Sequence, residues 1–283
     1  MRCGDKLKQY RLAVINCVVA LCVCSALLAG FLIKPAVSAE GLKCPAVEVP
    51  RNTRMTPARR QQLQVKWRRA IDQDNLEDLW QLLAIVDAKD TNEKGKTALM
   101  AAVKVGDFCL LQELQQLGLS VQQRSSTGGT ALMYAVLGNE LKMIEHLLPL
   151  TDDINAQSTN GWTAVMIAAA KGFDEAIVRL VDAGADANIA DVYQWSPLMR
   201  AIDNKHTAVV SALLGLPVAV NHVNENGSTA LHIAVIAEDI DAVKQLLKLG
   251  VDISVADKNR FIARDIATNK GLVEIVKLID QPG

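Results

Sequence analysis

The chain has 283 residues, of which half are hydrophobic and 4% aromatic, and its formal charge is −1. The near-neutral balance conceals a split: residues 1–60 carry 10 basic and 3 acidic side chains, residues 61–283 carry 20 and 28. An acidic main body argues against nucleic acid as a partner, because it repels phosphates.

The amino-terminal stretch differs in kind from the rest. Arg2, Lys6, Lys8 and Arg11 precede a weakly polar-to-apolar run from Leu12 to Ile33, and Lys34-Pro35-Ala36-Val37-Ser38-Ala39-Glu40 follows it. Val37 and Ala39 stand three and one residues before Glu40, the small-residue pattern of a cleavage site, so residues 1–39 read as a signal peptide. The same 22-residue run is long enough to span a bilayer, so an uncleaved signal-anchor is the competing reading. Lys34, Lys43, Arg51 and Arg54 follow the run and blur its orientation. The short tail and the cleavage pattern place the repeats in a periplasm or on the extracytoplasmic face of an inner membrane. A membrane-anchored array facing the cytoplasm is the alternative. Residues 40–62 read as a linker, because Pro45, Pro50 and Pro57 oppose regular structure and Arg51, Arg54, Arg59 and Arg60 make it basic. It serves as a solvated spacer, or it is drawn to anionic lipid or to the acidic body.

From residue 63 onward the sequence repeats. Thr97, Thr130, Thr163, Ser196 and Thr229 are separated by 33 positions each, and the next step lands on Ile262. Gly95-Lys96-Thr97-Ala98-Leu99-Met100 returns as Gly128-Gly129-Thr130-Ala131-Leu132-Met133 and as Gly161-Trp162-Thr163-Ala164-Val165-Met166. A fixed period of this length means one supersecondary unit stacked on itself. Within a unit, the hydroxyl caps a first helix kept thin by Ala168, Ala169 and Ala170. Gly172 ends that helix, and a second carries Ile177, Val178, Leu180 and Val181 at core spacing. Gly184 stops the second helix. Gln194 and Arg260 stand where other copies have the turn glycine, so those two hairpins are expected to differ locally.

The pattern resembles the ankyrin repeat, and Gly184-Ala185-Asp186-Ala187-Asn188 matches that family's exit from the second helix. The resemblance implies an all-α repeat solenoid over residues 63–283. Five full repeats fall near 91–123, 124–156, 157–189, 190–222 and 223–255, between an N-terminal cap at 63–90 and a C-terminal cap at 256–283. Arg264 and Asp265 in the last copy suit a terminal unit that meets water.

The chain offers little chemistry. Gly95-Lys96-Thr97 looks like the end of a phosphate-binding loop, but the glycine required five residues earlier is Asp90. His146, His206, His222 and His232 are dispersed across repeats, and His206 and His232 fall where the resembled family uses His for local hydrogen bonding. No catalytic residue, metal site or cofactor is expected. Cys3, Cys17, Cys22 and Cys24 lie in the leader, where they act as small hydrophobes. Cys44 and Cys109 remain, either as a bridge formed in an oxidising compartment or as two unrelated thiols.

The resemblance implies a protein partner held on the hairpin tips and the exposed face of the first helices. The residue before each hydroxyl reads Lys96, Gly129, Trp162, Trp195, Ser228 and Phe261, a column expected to point into that strip. Trp162 and Trp195, with Tyr193 beside them, are therefore expected as exposed hot spots. Lys104, Lys171, Asp203, Asn204 and Lys270 fall at helix positions that vary in such interfaces and are expected to form a polar rim. Met100, Met133, Met166 and Met199 form a second column, read as packing or as an oxidisable contact face. The functional expectation is a non-catalytic scaffold of a bacterial cell envelope, linked through similar exported proteins to envelope stress protection. An immunity protein presenting an acidic strip to a basic toxin, and a host-directed effector, are the alternatives.

Overall fold

The structure is a computed structural model that describes residues 55–281, all within the larger of two units of the chain, residues 39–283. The expected signal or anchor, the linker up to residue 54, and Cys44 lie outside the described residues. Among the described residues no helix is long and apolar enough to cross a membrane.

Among the described residues fourteen α-helices form seven pairs: α1 (Pro57–Asp72) with α2 (Leu76–Leu82), α3 (Ala98–Val105) with α4 (Phe108–Gln116), and α5 (Ala131–Leu137) with α6 (Leu141–Leu147). The series continues with α7 (Ala164–Lys171) and α8 (Asp174–Asp182), α9 (Pro197–Asp203) and α10 (Thr207–Leu214), α11 (Ala230–Ala237) and α12 (Ile240–Lys248), and α13 (Ala263–Asn269) and α14 (Val273–Asp280). First helices stack on first helices and second on second, giving an α solenoid. Close stacking needs small side chains, and Ala102, Ala135, Ala168, Ala201, Ala234 and Ala267 are fully buried along the seam. Leu110, Leu114, Ile144, Leu147, Ile177, Leu180, Val210, Leu213, Val243 and Leu246 fill the second layer.

The hydroxyl column starts each first helix as its chemistry demands. Thr97, Thr130, Thr163, Ser196 and Thr229 accept from the amides of Met100, Met133, Met166, Met199 and His232 at 3.1–3.4 Å. Ile262 has no hydroxyl to offer, and the polarity reverses: the Ile262 amide donates to Asp265 Oδ2 at 3.2 Å. The methionine column is buried throughout, so it packs and presents no contact face to oxidise. Met100 Sδ takes the Thr97 amide at 3.5 Å, and in the fifth repeat His232 Nδ1 does the same at 3.2 Å while its Nε2 meets Phe261 O at 3.1 Å.

Pro57 does not interrupt structure; it begins α1, six residues before the expected start of the cap. Thr56 accepts the Arg59 amide at 3.3 Å, and proline at a first helical position gives up an amide that had no helical partner. Nor do the Gln194 and Arg260 hairpins differ in backbone. Their φ values, 59° and 67°, fall in the left-handed region with the 78° of Gly161. The closing bonds match too: Gly161 N to Ser158 O at 2.8 Å, Gln194 N to Asp191 O and Arg260 N to Asp257 O at 2.9 Å. Two independent holds fix each hairpin after the first. A side-chain oxygen at its start accepts the amide four residues on, as Ser158 does from Trp162 at 3.1 Å and Asp191 from Trp195 at 2.9 Å. One backbone amide also reaches the preceding tip: Ser126 to Lys94 O, Thr159 to Thr127 O, Val192 to Asn160 O, Glu225 to Tyr193 O, Lys258 to Asn226 O, at 2.9–3.2 Å.

That proximity sets the cost of side chains at the turn. A Cβ on Gly161 would lie 2.7 Å from Val192 N and 2.8 Å from Asp191 Cα. Gly161→Ala is expected to cost about 2 kcal/mol or more in urea unfolding. Gln194→Gly, which removes a left-handed penalty, is expected to be neutral or stabilising by up to about 1 kcal/mol.

Candidate functional site

Trp162, Tyr193, Trp195 and Phe261 lie on the hairpin tips, and Lys104, Lys171, Asp203 and Asn204 on or just after the first helices. Trp162 and Trp195, on consecutive hairpins, are half-buried against the core. The guanidinium of Arg200, from α9, lies between them, its carbon 5.5 Å from the Trp162 ring centroid and 4.5 Å from that of Trp195. Each indole therefore keeps one face on Arg200, and the pair is a preformed stack.

Asp191 holds this stack in place. Its side chain is 0% exposed. Oδ1 accepts the amides of Tyr193 and Trp195, each at 2.9 Å, and Oδ2 pairs with Arg200 Nη2. A carboxylate taken fully out of water needs such compensation. Arg200 Nε has no hydrogen-bond partner, enclosed as it is beside the rings. Sequence reasoning missed both Asp191 and Arg200. The signal was present: four residues after the hydroxyl, the other copies read Ala101, Tyr134, Ile167, Ile233 and Ile266, so an arginine there is the outlier.

Near the amino-terminal end the roles invert. Lys96 occupies the position of the tryptophans, yet it is only 7% exposed and does not point into the strip. Its Nζ donates to Ile71 O at 2.8 Å and to Asp74, and lies 5.6 Å from the centroid of the Tyr134 ring. Lys104 Nζ meets the other oxygen of Asp74 at 2.6 Å, so Lys104 clamps the first pair to the second and is not a free rim residue. Ser228 is buried as well. Lys171, Asp203 and Asn204 are exposed, with the Asn204 side-chain amide returned to Arg200 O at 2.8 Å. Tyr193 and Phe261 are 53% and 43% exposed, and Val192 joins Tyr193 at the same tip. Lys270 donates to Ile236 O and pairs with Glu238, whose carboxyl its ammonium holds below the usual range.

The strip is not acidic. Lys94, Lys171, Lys205, Lys258 and Arg260 are exposed there against Glu93, Asp203, Glu225 and the already paired Glu238. The excess of acid belongs to the second helices and their turns, so the electrostatic reason for a basic toxin as the occupant is gone. Among the described residues no group of three His, Cys, Asp or Glu is placed to hold a metal ion. His206 Nε2 lies 3.1 Å from Ala170 O, linking neighbouring repeats, and His222 Nε2 lies 2.8 Å from Gln194 O within one repeat. What the arrangement offers is a shaped, partly apolar surface for recognition. Cys109 is buried in α4 and disulfide-bonded.

A family model described as ankyrin repeats (3 copies) matches residues 68–158, 139–224 and 216–282. No curated protein matches the chain.

Removing Arg200 leaves a buried carboxylate and two unsupported indoles. Arg200→Ala is expected to cost about 3 kcal/mol in denaturant unfolding and to shift tryptophan emission to the red. Asp191→Asn/Arg200→Ala is expected to recover part of the loss; an equal or larger loss in the double variant would show that the charge pair is not the source.

Proposed function

The chain belongs to the ankyrin-repeat family, and from that premise we propose that it is a non-catalytic scaffold of a bacterial cell envelope, holding a client protein on its hairpin strip. Ankyrin repeats are protein-interaction modules, and the partner is a protein. The observation that carries this reading is that the exposed aromatic side chains among the described residues, Tyr193 and Phe261, both lie on the tips. In a chain with 4% aromatics, Tyr193, Phe261 and Val192 reach solvent beside the Trp162–Arg200–Trp195 stack. Rigid aromatic groups already fixed in place lose little freedom on binding, which is where interface energy concentrates. Lys171, Asp203, Asn204, Lys258 and Arg260 supply the polar rim. The leader of residues 1–39 supports an extracytoplasmic address, as signal or as anchor, and exported relatives in resemblance point to protection of envelope proteins under stress.

The disulfide of Cys109 fits that compartment. Cys44 is proposed as its partner, and non-reducing peptide mapping is expected to recover the two cysteine peptides as one species. A Cys109 peptide joined to any other cysteine would remove this pairing.

The client is tested by affinity capture from native envelope extract, comparing the natural chain with Tyr193→Ala/Phe261→Ala. Both side chains are exposed, so circular dichroism and melting are expected to be unchanged. At about 2 kcal/mol for each hot spot, retention of the client is expected to weaken several hundredfold. Equal capture by both forms would place the binding surface elsewhere.

A further inference from the structure

Helix α1 carries Arg59, Arg60, Lys66, Arg68 and Arg69 against a single acid, Asp72. Residues 55–281 as a whole hold 28 acids and 22 bases, so this helix is a positive end on a negative body. Trp67, Ala70 and Ile71 face the core, and all five cations are exposed. Two of them are committed to neighbours. Lys66 Nζ lies 2.6 Å from Asp78, and Arg68 reaches both oxygens of Asp90 at 2.8 and 3.1 Å. Burial would raise the Asp90 carboxyl, but hydrogen bonds from Arg68 and Gln64 outweigh it and hold that group below its usual range. Arg59, Arg60 and Arg69 have no acidic partner among the described residues, and Arg59 meets only Gln62 Oε1 at 3.3 Å. Positions 59, 62, 66 and 69 follow the i, i+3, i+7, i+10 spacing of one helical stripe. Val65 is the only large hydrophobic exposed on α1, so this face has little to bury against an apolar partner.

We propose that α1 is a docking surface for an anionic lipid bilayer, with Arg59 and Arg69, which share that stripe, set against head-group phosphates. Charge complementarity is one argument, and the position in the chain is the other. The apolar run ends at Ile33, 23 residues before Thr56, and residues 34–72 hold nine bases and three acids. Basic charge that follows a membrane-directed segment so closely is drawn to anionic lipid, each cation contributing within a screening length of the surface. The inference rests on the envelope address proposed above and not on the identity of the client.

The chain as isolated from cells is combined with vesicles of phosphatidylcholine alone or of phosphatidylcholine with phosphatidylglycerol, and hydrogen exchange at residues 57–72 is followed. Exchange is expected to slow only on the anionic vesicles and to return at about 1 M salt, where the screening length is about 3 Å. Arg59→Gln/Arg69→Gln, which keeps helix-forming residues, is expected to need roughly thirtyfold more anionic lipid for equal protection. Its capture of the client should be unchanged, which separates failure here from failure of the scaffold reading. Equal exchange on both lipids, or protection that survives salt, overturns lipid docking; protection given by an acidic envelope protein and not by lipid assigns the helix to a protein partner and overturns it too.

Discussion

Each hairpin tip must come close enough to the one before it for a backbone amide to reach its neighbour's carbonyl. The five bonds from Ser126, Thr159, Val192, Glu225 and Lys258 record that demand at intervals of 33 residues. Much of the rest follows from it. Tips this close leave little room at the turn, so Gly161 faces backbone atoms of the next hairpin. First helices this close must be thin, hence the buried alanines. The second helices, freed from that constraint, carry the bulky aliphatic residues that hold the stack together.

The backbone constraint also decides what the side chains at the tips can become. A residue just before the hydroxyl lies between two hairpins, close to the first helix of the next unit. Lys96 and Ser228 are swallowed there, Trp162 and Trp195 are half-swallowed, and Phe261, on the last hairpin of the described residues, stays open. Exposure at this column reflects the neighbours on either side as much as the residue itself. The same holds for charge. Asp74 takes both Lys96 and Lys104, and Asp191 takes Arg200, so several charges that look available in the sequence are consumed in joining one unit to the next.

The periodicity made the helix starts legible, because a hydroxyl every 33 residues is both a count and a mechanism. Thr163 needs no tertiary partner to cap its helix; it bonds to Met166, three residues on. What stayed hidden was whatever depends on residues far apart in sequence. Nothing local says that Arg200 will insert between Trp162 and Trp195, or that Lys104 will turn back to Asp74, 30 residues earlier. Pro57 was misread for a different reason. Proline excludes a helix interior but suits a helix start, and only the threonine before it tells the two apart. Gln194 and Arg260 show that tertiary demand can override a local preference: the ladder of tips holds them in a left-handed turn that glycine would adopt more readily.

The ionic and cation–π links are unevenly distributed along the array, and this bears on how it comes apart. At the amino-terminal end Asp74 binds the first pair to the second, and in the middle Arg200 locks the third repeat to the fourth. Beyond Thr229 the joins are Lys270 to Glu238, the histidine bond to Phe261 O, and an exposed contact between Lys244 and Glu274. In a linear stack, opening begins where an end unit has a single neighbour and the weakest join. Among the described pairs the carboxyl-terminal one has the more exposed joins and is expected to open before the centre, carrying Phe261 with it. The stack at Trp162 and Trp195, pinned by Arg200 and Asp191, is expected to open later, which sets a yielding rim beside a firmer centre along one face.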